Sequence, residues 1–503
     1  MAASLCFALN SIALGQTFVS PYLPLSTEAA LPLPFPSLSP LPTEISLMTM
    51  SMATSAVSPE SKSSSRFSDQ PAPLRTDIFP SRPPPLFEWG DKLLGQGNLK
   101  PGFMLPTGAN WSPALWIYGD YRTAIQVFDP GFAPRVSEWV NRLDLYANLQ
   151  LSGLERILIG FRPLDRYEDG AERFTGYNAE PDRPSKYHGW QGEFRGEPTT
   201  FFFEGELGEI FPKLSQGDKY NMDWGFSVGR QPLLLQDGLL VNDDAMDMVG
   251  ITRNTLLPKG TSVARVTGLF AWNEIQRAHN TPDGGSFMIG LDAEADFPVS
   301  TVKGTLLYVP SGHDSDGFYS GLSASQHFGK LNTQFHVANS IAVDKSNDLV
   351  RNGTLLFAEM SIAPTGTHNL LYLNGYWGIK EFSSADRGPL AGGPLGRVGL
   401  LTAASDLGRY GPPLTNYPED AVGASLGYQM FFGMIPRTQF TIEVGGRIPT
   451  ESPATPEKRA AGGIAARFQK AYGQRFVLIA DGFGVLREGG DGYGARLEWH
   501  TKF

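Results

Sequence analysis

The sequence predicts an all-β fold, a closed antiparallel transmembrane β-barrel of about 16–18 strands covering residues 111–503. Three observations lead there. First, segments with an apolar and a polar parity recur along the chain, as strands with one apolar and one wet face require. The clearest are 142–151 and 286–297. In the first, Arg142, Asp144, Tyr146, Asn148 and Gln150 alternate with Leu143, Leu145, Ala147, Leu149 and Leu151. In the second, Phe287, Ile289, Leu291, Ala293, Ala295 and Phe297 oppose Asp292, Glu294 and Asp296. Second, the joints alternate in length, with short ones at 329–330, 433–438 and 489–492 and long ones at 163–198, 344–353 and 382–420. Turns at one rim and loops at the other belong to a barrel, and a soluble sandwich has no reason to show them. Third, Tyr493 to Phe503 is long enough for a tilted strand to cross a bilayer, with aromatics at both ends of its apolar face.

Composition agrees. Of 503 residues 57 are Gly and 39 Pro, aromatics reach 12% and charged residues only 18%, which suits many strands joined by turns. The net charge of −10 argues against nucleic acid as a partner. Cys6 is the only cysteine, so a disulfide framework or a Cys-ligated metal site is excluded. Beyond the N-terminus no run of 18 apolar residues offers a transmembrane helix, which leaves the closed barrel as the spanning structure.

In chain order, 1–16 reads as the apolar core and small-residue end of a signal peptide. It lacks a basic front, since no Lys or Arg precedes Lys62, so the true start is expected upstream. Residues 17–85 are rich in Pro and Ser without a period and are expected to be disordered. Residues 86–110 carry aromatics without alternation, a lead-in at the barrel mouth or a partial plug. Strands are expected near 114–128, 142–151, 156–162, 199–211, 223–235, 246–256, 261–273, 286–297 and 300–309. Further ones fall near 318–328, 331–343, 354–362, 369–381, 421–433, 438–448, 459–470, 475–486 and 493–503.

The run DWGFSVGRQPLLLQDGLLVNDDAMDMVGITR (223–253) and the ending YGARLEWHTKF resemble bacterial outer-membrane porins, loosely the group of alginate-export and carbohydrate porins. The resemblance implies a Gram-negative outer membrane and a terminal signal, Tyr493, Leu497, Trp499 and Phe503, read by the barrel-insertion machinery. An arginine-lined constriction marks the alginate group. Here the inward basic residues Arg122, Arg142, Arg162, Arg265, Arg447 and Arg496 are matched by inward Asp144, Glu204, Glu206, Asp292, Glu294, Glu359 and Glu443, which speaks against a polyanion.

These charges either line a watery lumen or pair across strands and fill it. At 16–18 strands the lumen is too wide for side chains to fill, which favours a channel for small hydrophilic solutes. The 382–420 loop either caps the outer rim or folds inward, and in the second case Arg387, Arg397 and Arg409 sit at a constriction. GGDGYG (489–494) reads as a hairpin turn, since no helix follows it. His313 to Gly317 lacks the distant Glu of a calcium loop and reads as a turn. His336 and Ser340 share a face but lie about 13 Å apart along a strand, too far for a base and its nucleophile. The reading therefore has no catalytic residue, metal or cofactor. Its rivals are a receptor or structural barrel with a plugged lumen and, behind that, an outer-membrane hydrolase. A homo-oligomer is left open.

Overall fold

The computed structural model describes residues 83–93, 102–164, 175–179, 189–192, 194–215, 222–278, 281–312, 315–388, 399–405, 407–415, 417–433, 437–453 and 455–503. The expectations for 1–16, for 17–82, for Arg397 and for the His313–Asp314 turn fall outside these.

Eighteen strands form the wall. They are β1 (Ala114–Asp129), β2 (Val136–Gln150), β3 (Arg156–Phe161), β4 (Pro198–Glu206), β5 (Trp224–Leu235) and β6 (Val241–Leu256). Next come β7 (Val263–Asn273), β8 (Met288–Asp296), β9 (Ser300–Val309), β10 (Gly317–Phe328), β11 (Leu331–Ala342) and β12 (Gly353–Ile362). The ring ends with β13 (Leu370–Lys380), β14 (Ala421–Phe432), β15 (Thr438–Pro449), β16 (Ala461–Tyr472), β17 (Phe476–Arg487) and β18 (Gly492–Lys502). Each pairs antiparallel with its chain neighbours, and β18 returns to β1 in register from Tyr493↔Asp129 to Lys502↔Asp120. The barrel is closed.

Closure settles which parity faces lipid. Along β18, Arg496, Glu498 and His500 are buried, while Leu497 and Trp499 are 53% and 38% exposed. Exposed apolar residues recur around the outside, among them Ile251, Leu291, Leu306, Leu322, Leu373 and Val444. Buried polar residues occupy the opposite parity. Lipid rather than a protein core can cover such an outer face. Aromatics gather near the rim that carries the short turns: Trp499 packs on Tyr472 and Phe476 at 6.1 and 5.5 Å. Among the described residues no helix is long and apolar enough to cross a membrane.

The short lead-in Phe87–Trp89 pairs with Leu115–Ile117 of β1. It occupies the line that β18 vacates, because β18 ends opposite Asp120 whereas β1 continues to Ala114. Phe503 fills the step between them: its N–H and C=O bond the C=O and N–H of Gly119 at 3.0 and 2.7 Å. Past Trp89 the chain turns into the mouth, where Trp116 Nε1 donates to the Asp91 carbonyl at 2.6 Å and Leu93 packs on Tyr118, Tyr146, Leu158 and Phe202.

Candidate functional site: the barrel lumen

The strand register stacks charged side chains into rungs on the inner wall. One rung runs Arg467, Asp481, Arg496, Gln126 and Glu138 across β16, β17, β18, β1 and β2. Asp481 takes Arg467 and Arg496 at 2.7 Å each. Glu498 takes Arg122 at 2.7 Å and Arg496 at 2.9 Å. Lower on the wall His500 meets Asp120 at 3.0 Å, and Asp144 holds Arg142 and Arg162 at 2.7 Å each. Arg156 pairs with Glu204 and contacts the Phe202 ring. On the far wall Glu294 binds Arg265 at 3.1 Å and Lys303 at 3.0 Å. Buried charges persist only when paired and hydrogen-bonded, and these are.

Two segments between strands fold into the lumen. The first, between β5 and β6, is a tight turn with Gln236 and Asp237 at φ +50° and +55°. Non-glycine residues adopt that region at a cost, so surrounding contacts must hold them. Gln236 donates to Thr305 at 2.9 Å, Gln334 bonds Asp237, and His336 lies 3.4 Å from Asp237. The second lies within 381–420, of which 381–388, 399–405, 407–415 and 417–420 are described. Its start docks on the first, with the Ala385 N–H bonding the Leu240 carbonyl at 2.8 Å. Leu239, Leu240, Phe382 and Ala385 then join Leu307, Tyr319, Leu355 and Phe357 in an apolar cluster on the inner wall of β9–β13.

Residues 399–405 and 407–410 of that segment lie against the charged wall. Glu443 of β15 accepts the backbone N–H groups of Leu400 and Leu401 at 2.9 and 2.8 Å and the Tyr372 hydroxyl at 2.5 Å. Tyr372 lies across Gly427, where a Cβ would fall 1.9 Å from the ring, so only glycine admits it. Further on, Arg122 donates to the Ser405 carbonyl at 3.1 Å and Gln126 to that of Leu407 at 2.9 Å. The segment's tip is pinned where Glu138 accepts the Arg409 N–H at 2.7 Å and its Nε at 3.1 Å. At its other end Arg387 reaches Asp243 at 3.2 Å and Asp244 at 3.1 Å. Asp244 also binds Arg162 at 2.9 Å.

With this geometry in view, the barrel is similar in structure to a BenF-like porin from Pseudomonas fluorescens Pf-5: TM-score 0.50 at 10% identity, over 80% of this chain and 100% of that one. The fold is that of an outer-membrane porin. Weaker likenesses are to Pseudomonas aeruginosa OccK2 in complex with glucuronate (TM-score 0.48, 12% identity, 80% and 99% covered) and to Wzi of Escherichia coli, a carbohydrate-binding β-barrel involved in capsule assembly (TM-score 0.45, 9%, 76% and 84%). No family model matches the chain, and no curated protein matches it in sequence.

Within this porin fold Arg122, Asp144, Arg162, Glu204, Glu443, Arg447 and Arg496 are buried on the inner parity, and Arg142, Glu206, Arg265, Asp292, Glu294 and Glu359 are half-buried there. Arg387 and Arg409 dock the inward segment at separate points, on Asp243 and Asp244 and on Glu138. Sequence reasoning passed over Glu138, Arg467 and Asp481. Asp481 was legible as the lone charge in the apolar run FVLIADGFGVL, and Arg467 shares parity with Gln469. Asp243 and Asp386 carried no such signal.

Proposed function

We propose that the protein is a channel of the bacterial outer membrane that passes small hydrophilic solutes by diffusion. The observation that carries this is a closed ring of eighteen strands with an inner wall of paired charges, too wide for those side chains to fill. The inward residues 381–388, 399–405 and 407–410 act as its constriction, and selection follows from the width and charge left beside them. No step of chemistry is part of this reading. A second reading, a receptor or structural barrel with a plugged lumen, draws on the apolar cluster that seats residues 382–385 against the wall.

Conductance in planar bilayers separates the two. Discrete steps from the intact protein, enlarged when residues 400–410 are replaced by a short Gly-Ser linker, support the channel. Steps only after that replacement select the plugged barrel. Silence in both forms, with the barrel shown to be inserted, overturns the channel.

A further inference from the structure

Every inward arginine named above except Arg447 has a carboxylate within ion-pair distance. Arg447 and Arg487 have none among the described residues, although Arg447 is 1% and Arg487 6% exposed. The register places them in one rung, Tyr376, Gly423, Arg447, Ala461 and Arg487, across β13 to β17. Two strand spacings of about 4.8 Å separate the two guanidinium-bearing residues, with only the small Ala461 between them. From the other side Tyr376 lies across Gly423 toward Arg447, since a Cβ there would fall 2.2 Å from its ring.

Part of each guanidinium is engaged. Arg447 Nη1 donates to the Tyr417 carbonyl at 3.1 Å, Arg487 Nη2 to that of Pro413 at 2.8 Å, and Arg487 Nη1 to that of Glu457 at 2.8 Å. The remaining donors, Arg447 Nε and Nη2, Arg487 Nε and the Tyr376 hydroxyl, are buried and unpartnered. Glu419, the nearby acid, is taken by Lys458 at 2.9 Å and Arg351 at 3.6 Å. The Glu457 carboxylate also acts on Arg487, yet two neighbouring buried guanidiniums with spare donors stay costly until a further acceptor meets them.

We propose that Arg447, Arg487 and the Tyr376 hydroxyl form a site for one small inorganic anion, of the size of chloride or phosphate. The anion accepts the spare N–H and O–H groups and neutralises the pair. Because the same guanidiniums hold the carbonyls of Pro413 and Tyr417, it also ties the end of the inward segment to the wall. Burial of these donor atoms limits the occupant to small ions. The site stands on wall geometry and does not depend on which solute the lumen passes.

The test uses the full chain in detergent, exchanged into sodium gluconate, whose anion is too large for the niche. It is then titrated with chloride or phosphate at constant ionic strength while the unfolding transition is followed. We expect a saturable rise in transition temperature in the unaltered protein, and none in Arg447→Met or Arg487→Met. Crystals of the unaltered protein grown in bromide should show an anomalous peak among Arg447 Nε, Arg487 Nε and the Tyr376 hydroxyl, and this arm decides alone if both variants fail to fold. A transition independent of the anion, or bromide absent from that position, overturns the proposal.

Discussion

Leu291 and Asp292 are adjacent on β8 and should respond in opposite ways to the same replacement. Leu291 is 48% exposed on the outer face, fourth of nine strand residues, opposite Gly268 of β7 and Leu306 of β9. An arginine near mid-bilayer on that face costs about 2–4 kcal/mol. At 1.4 kcal/mol per decade, that is roughly a 30- to 700-fold loss in the folding equilibrium. Asp292 points inward and accepts the Thr305 hydroxyl at 2.5 Å. Asp292→Arg loses that bond, worth about 1 kcal/mol, and places a cation near Lys303 and Arg265, with Glu294 between to compensate. It should fold nearly as well as the parent and shift ion selectivity toward anions. The assay is folding into phospholipid vesicles across a urea series, read by the heat-modifiable band on gels, followed by reversal potentials in planar bilayers. Equal folding of the two variants, or the greater loss in Asp292→Arg, would refute the assignment of faces.

The seam makes a second expectation. Deleting Phe503 removes two hydrogen bonds to Gly119, and deleting 83–93 uncovers the edge of β1 at 115–117, so each should lower the yield of heat-modifiable barrel in outer-membrane fractions. Replacing 1–82 by an ordinary signal peptide should leave that yield unchanged, and a loss there as large as with 83–93 would show the seam to be irrelevant. A third concerns pH. Burial and the adjacent Asp243 carboxylate hold the Asp386 carboxyl well above the usual carboxylate range, against the pull of Arg387. A raised folded pKa means that this group stabilises docking fully at pH below about 4 and loses that contribution as pH rises through the raised value. Current noise from the inward segment should therefore grow with pH, and Asp386→Asn should flatten the dependence; an unchanged profile in that variant would remove Asp386 as its source.

What the sequence revealed and what it hid divide along one physical line. Strand parity is a local property: in 142–151 or 493–503 every second residue declares its face within one turn of reading, and the eighteen expected segments became eighteen strands. The paired inner charges follow from parity plus register, and the strand order is sequential, so Arg122 with Glu498 needed only the closure of the last strand on the first. The inward course of 381–420 follows from neither. Its decisive contacts join residues 271 to 283 positions apart, Arg409 with Glu138 and Ser405 with Arg122, through backbone groups that look alike in every loop. The strand pairing of the lead-in was hidden for a related reason. Phe87–Trp89 has no alternation, and its strand character comes from the vacant edge of β1 that receives it. That edge exists because β18 stops opposite Asp120 while β1 runs to Ala114, a mismatch of lengths that becomes visible only once the two are paired. The pairing itself therefore creates the demand that the lead-in meets, and a reading of either segment alone has nothing from which to infer it.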